Sequence, residues 1–575
     1  MKGVRSPGIA VLMWILGCIY GLSGAHVFVE YGLNVPRYVI NGVEQSVPRS
    51  GGELHYLQYV FPWPRYKKGA VLLSGVLFGI SFICVGNMAS NCIDCALRIM
   101  QAANPNKGED EFSKGTIYGI AISIATVTCF IHAFSRRGGI LLNNILAVIK
   151  VCVLISIIIS TWVVAGGRFG LGGLEQGNCH HSISPPDPQS GPSGYTQAFL
   201  SVADVQANND VPQEFFRRIS NCSDHAQQAF NSFLAISSFG NIVVWTFTAA
   251  RMKQEIAKQC FLPYASFFAK NKDVSLGRLL TWLEGGNDRN PRGRRIKFLN
   301  PANHREKTPV GALILHLITC IILMMATYST SGINAYKALS QLFSYILAAW
   351  FGTLLALGIL ILHFRGPPAT QPVQTPKHRN VPDQQPIRMS WNQMIKGTVN
   401  PKIGVVCAGL YLVGSLYPVI MGWVPPNLPL TAADKIAWYV VPLAGWCVLA
   451  FSALWFLGFV AIATYRSRVG RKKFVYITEP EFDWAQKSQQ DLGAGEGLPA
   501  GEGTSGANRG GLILIHETIY KRWQGDEMEI LHNRAVGDNN ALGPVFAGQR
   551  ESNSEDQHGQ TGAGLENTDF SRFRQ

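Results

Sequence analysis

Few residues in this chain could do chemistry away from water. Lys150 stands deep inside the apolar run 140–165, and Ser237, Ser238, Phe239, Gly240 and Asn241 interrupt a second run, 230–250. An ammonium, two hydroxyls and an amide offer no nucleophile and base side by side. They can hold and release a polar solute. A lysine at mid-bilayer costs about 2.5–3.5 kcal/mol on insertion scales, and its stem is too short to snorkel to water from there. Lys150 therefore reads as a fixed cation inside a bundle, the alternative being an entry charge in a water-filled gap. For Ser237 and Ser238 the alternatives are a polar lining and small-residue packing between membrane helices.

The elements that must position these groups are membrane spans. Nine windows are long and apolar enough to cross about 30 Å of hydrocarbon: 8–28, 69–89, 115–134, 140–165, 230–250, 310–328, 339–364, 403–423 and 436–464. With 47% hydrophobic and 15% charged residues over 575 positions, the expectation is an all-α polytopic membrane protein whose main partner is the lipid bilayer. The run 230–250 carries no charge, and Arg251, Lys253, Glu255 and Lys258 then arrive together, as at a cytoplasmic helix end.

The net charge of +14 does not indicate nucleic acid. Its placement alternates: residues 251–308 hold thirteen Lys and Arg against five acids, and 166–229 hold three against six. That is the positive-inside pattern. No nucleic-acid partner, no cofactor and no enzymatic activity are expected, since there is no Walker-type phosphate loop and no catalytic cluster. Cys92-x-x-Cys95 is a single pair, and His180-His181 sit in a solvated loop, so no metal is expected. Asn221-Cys222-Ser223 fits a glycosylation acceptor, and Cys179 and Cys222 could bridge in an oxidising compartment.

Two domains follow. Residues 1–470 form the transmembrane domain, closed by the basic stop Tyr465 to Lys473. Residues 471–575 form a cytosolic tail, expected to be largely disordered, with one apolar patch at 511–523 that could dock onto the bundle or a cytosolic regulator.

The stretches GIAVLMWILGCIYGLSGAHVFVEYG, VPRSGGELHYL and SSFGNIVVWTFTAARMKQEIAKQCFLP resemble the amino acid–polyamine–organocation (APC) permeases. The similarity is to the L-type branch and its fungal methionine-permease-like members. The resemblance implies the leucine-transporter-like fold of two inverted five-helix repeats. In it the present spans would be helices two to five and eight to twelve, and helices one, six and seven would be lacking. It marks Glu30, Arg49, Gly51, Gly52, Glu53 and Arg251 as structural motif residues. Where relatives carry Glu-Gly before Leu-Pro, this chain has Gln259-Cys260. It also implies transport of a neutral amino acid, methionine among the candidates, across the plasma membrane by alternating access. Lys150 would stand near the place where sodium-driven relatives hold an ion, beside Ser237 and Ser238, favouring proton coupling or exchange. The alternatives are a non-transporting relative, acting as sensor or scaffold, and an inactive truncated product.

Overall fold

The computed structural model describes residues 7–35, 37–40, 43–46, 51–66, 71–105, 107, 111–165, 224–272, 274, 308–368, 390–395, 397–425, 437–469, 473–484 and 512–524. Arg49, Cys179, His180, His181, Asn221 and Cys222 lie outside them. Chain contacts group residues 1–465 with 476–521 in one unit, and 466–475 with 522–575 in another.

The first unit is a helical bundle. Its long helices are α1 (Pro7–Asn34), α3 (Leu73–Val85) with α4 (Ala89–Ala103), α5 (Lys114–Phe134), α6 (Arg136–Ala165) and α7 (Asp224–Lys258). Next come α9 (Val310–Ala326), α10 (Gly332–Phe343), running through a π turn (Ser344–Trp350) into α11 (Phe351–Arg365), α13 (Pro401–Met421) and α14 (Val440–Val469). Short helices α2 (Gly52–Val60), α8 (Ala265–Ala269) and α12 (Trp391–Met394) lie between them. Among the described residues, eight helical passages are long and apolar enough to cross a bilayer, and α9 is a shorter apolar ninth. Each of the nine expected windows overlaps one of these described helices.

Burial separates the centre from the rim. The α3–α4 passage is 72% buried over its span window, whereas the α6 window is 11% buried. Val148, Leu154, Leu454 and Leu457 point outward with more than half their surface uncovered. Such apolar faces are unfavourable in water and suit acyl chains. The most extensive helix pair is α4 with α7, and α4 also packs on α5 and α10. Cys92, Ile93, Ala96, Tyr118, Ile242 and Met324 meet in their shared core.

The helix of the 69–89 window stops at Val85. The chain breaks between α3 and α4, and α4 continues inward with Asp94, Arg98 and Gln101 all buried. At the break the Asn87 side chain accepts from the Ala89 amide (3.0 Å) and donates to the Cys84 carbonyl (3.3 Å). That satisfies backbone groups freed where a helical passage long enough to span is interrupted. The basic cluster that begins at residue 251 is partly enclosed. Helix α7 runs on to Lys258, and Lys253 is fully buried.

Six strands complete the described elements. β1 (Arg37–Ile40) pairs antiparallel with β2 (Val43–Ser46), and β3 (Arg65–Tyr66) with β4 (Val71–Leu72). In the tail, β5 (Lys473–Trp484) pairs with β6 (Leu512–Gln524), so the apolar patch near 511–523 is strand. Lys521 of β6 donates to Gln259 Oε1 (2.6 Å) past the end of α7, and Cys260 Sγ to the Lys521 carbonyl. In the second unit, the Phe474 and Trp523 rings meet edge to face at 5.1 Å.

Candidate functional site

The sequence-marked residues of α6 and α7 fall into two adjoining polar contacts. Lys150 Nζ donates to Asn241 Oδ1. Gly240 makes this approach possible, because a Cβ there would stand 3.0 Å from Lys150 Cε and 3.2 Å from Nζ. The partner is a neutral amide, and no carboxylate bonds to Lys150 among the described residues. Ser238 turns instead to α4, donating to Asp94 Oδ2 at 2.6 Å. Asp94 Oδ1 lies 3.4 Å from Arg98 Nε, and Arg98 Nη1 donates to Gln101 Oε1 at 2.9 Å. Asp94 and Arg98 are each 2% exposed. An ion pair one turn apart on the same helix lets both charges enter the bundle together.

Unused hydrogen-bonding capacity lies along the same helix. Asn231, two turns before Ser238, is 1% exposed, and neither amide atom has a partner among the described residues. Trp245 Nε1 is likewise without one. The Trp245 ring lies 5.4 Å from Phe343 and 6.3 Å from Phe82. Phe82 precedes the α3–α4 break and Phe343 precedes the π turn. Interrupted helices and π turns recur where helical proteins bind ligands. Phe239 faces elsewhere. It lines an apolar groove of about 460 Å³ with Gly119, Ile120, Ser123 and Val127 of α5.

The amino acid permease family model matches residues 2–205 and 196–449. The chain belongs to the amino acid permease family. It is also similar to the high-affinity methionine permease of Saccharomyces cerevisiae, with 20% identity over 505 residues, covering 79% of this chain and 73% of that protein. The APC resemblance of the sequence is thus shown, and the all-α membrane bundle is that of an amino acid transporter.

The described residues that the resemblance marks as structural motif make their own contacts. Glu30 of α1 is fully buried, accepts from Trp391 Nε1 of α12 (2.7 Å) and lies 2.9 Å from His363 Nε2 of α11. It ties three elements together. Gly51 has φ +99°, and a Cβ there would stand 3.1 Å from Glu255 Cβ of α7. Only glycine combines that backbone with such close contact at no steric cost. Gly52 has φ +21° and opens α2. Glu53, in the first turn of α2 and outside the candidate spans, is pushed up to about 7 by desolvation. Arg251 Nη1 donates to Gln254 Oε1 (3.2 Å), and its guanidinium lies over Phe247.

The sequence reading missed Asp94, Arg98, Asn231 and Lys253. Asp94 and Arg98 fall just past the window 69–89 and Lys253 just past 230–250, because a hydropathy window stops at charges whose partners it cannot see. The Asp94–Arg98 spacing of four was the one available signal.

Proposed function

We propose that this permease carries a neutral L-amino acid, methionine among its substrates, across the plasma membrane by alternating access, with proton coupling or exchange. The observation that carries the reading is the Lys150–Asn241 pair: an ammonium held within the bilayer by a neutral amide. A resident cation there repels a second one, so a sodium ion is disfavoured while a zwitterion adds no net charge. The aromatic ring set of Phe82, Trp245 and Phe343 suits an apolar side chain. Unbonded Asn231 and Trp245 Nε1 could meet polar groups of a solute. The name of the yeast relative supports methionine.

Loop charges support a cytoplasmic C-terminus, where cytosolic regulators could reach the tail.

The test is uptake of labelled methionine and leucine by the full chain in cells stripped of their own amino acid permeases, with lysine and aspartate as charged controls. Accumulation of the neutral pair alone is expected. Binding to membranes without accumulation would replace transport with sensing.

A further inference from the structure

The ammonium that the sequence places at a helix end, Lys253, is enclosed where α7 meets α9. It has no exposed surface, and its Nζ lies 2.7 Å from Thr319 Oγ1 and 3.3 Å from His316 Nδ1. No carboxylate pairs with it among the described residues. The hydrogens around it can be counted. Thr319 Oγ1 spends its proton on the His316 carbonyl (2.9 Å), so it meets the lysine as an acceptor. His316 Nδ1 is a second acceptor in the tautomer with its ring proton on Nε2, where Cys320 Sγ lies at 3.7 Å. The cage therefore offers two acceptors. A neutral amine has two N–H donors and is satisfied, whereas an ammonium has three and leaves one unmade. A buried charge with neither counter-ion nor full hydrogen bonding is strongly disfavoured.

We propose that Lys253 is a proton-binding site of this permease, holding its proton weakly while α7 and α9 pack as here and firmly when they part. The titratable groups facing the amine are Cys84 of α3, Cys129 of α5, and His316 and Cys320 of α9. His132 of α5 faces His316, and Cys92 of α4 faces Cys320 and Cys129. None is a carboxylate. Uptake of a proton then favours separation of the two helices, and their closure loosens it, as linkage requires. The coupling role rests on the transport reading above; the protonation state does not.

Two experiments on the full chain test this, with Lys253→Met removing the titration and Lys253→Gln as a second variant should Met disturb folding. In the first, thermal stability of the purified protein is followed against pH. The unfolded chain binds the extra proton, so wild type loses stability relative to the variants as pH falls. A difference that stays constant with pH overturns the proposal. In the second, cells accumulate labelled methionine under an inward gradient of about one pH unit, worth about tenfold for one coupled proton. Lys253→Met is expected to lose that tenfold while still exchanging internal for external amino acid. A variant that follows the gradient as wild type does overturns the proposal. Should wild type move no amino acid at any pH, the transport reading fails and the stability difference still decides the proton site.

Discussion

Ser238 and Asn241 lie three residues apart on α7 and hold opposite charges. The Ser238 hydroxyl donates to the Asp94 carboxylate of α4, and the Asn241 amide oxygen accepts from the Lys150 ammonium of α6. One stretch of α7 thus spaces an acid and a base that never meet.

Removing the Ser238 hydroxyl takes one donor from Asp94 and leaves Arg98. Ser238→Ala should cost about 1–3 kcal/mol. Asp94→Ala strands a buried guanidinium and should cost about 3–5 kcal/mol. Thermal unfolding of the detergent-purified protein ranks the two. Equal losses would show that Arg98 is not left uncompensated.

Asn231 is buried with its amide unbonded among the described residues. Exchange for an apolar residue of similar size should therefore stabilise the bundle, by about 1 kcal/mol or more. Asn231→Leu should lower uptake all the same, if the amide serves a solute. A variant that is both more stable and fully active would remove Asn231 from the path.

Gly51→Ala would force a side chain into φ +99° and into contact with Glu255. The cost should exceed about 1 kcal/mol, visible as a lower melting temperature. A neutral outcome would show that α2 can draw back from α7.

Glu53 gives a pH dependence. Its carboxyl is pushed from 4.5 up to about 7 by desolvation, so the folded chain holds a proton that the unfolded chain has already lost. Stability from this group falls as pH rises through that window. Glu53→Gln should flatten the fall, in thermal melts taken across the window. An unchanged slope would assign the fall to other groups.

The bundle was legible because its rim is apolar for long stretches: windows such as 140–165 and 403–423 coincide with α6 and α13. What the sequence hid is charge that folding pairs or encloses. Asp94 and Arg98 look like a helix exit until α4 turns them toward each other, and Lys253 looks solvated until α9 covers it. Lys150 stands out in the sequence because nothing polar precedes or follows it closely. In the structure Asn241 accepts from it, whereas Ser238 donates to Asp94.

The measurement that bears most directly on the transport reading is uptake of labelled methionine by Lys150→Ala and Asn241→Ala, normalised to protein at the cell surface. Both variants should reach the surface and lose uptake by about tenfold or more, equivalent to 1.4 kcal/mol. Wild-type uptake in Lys150→Ala would contradict the account, because a carrier that works without the ammonium is not organised around it.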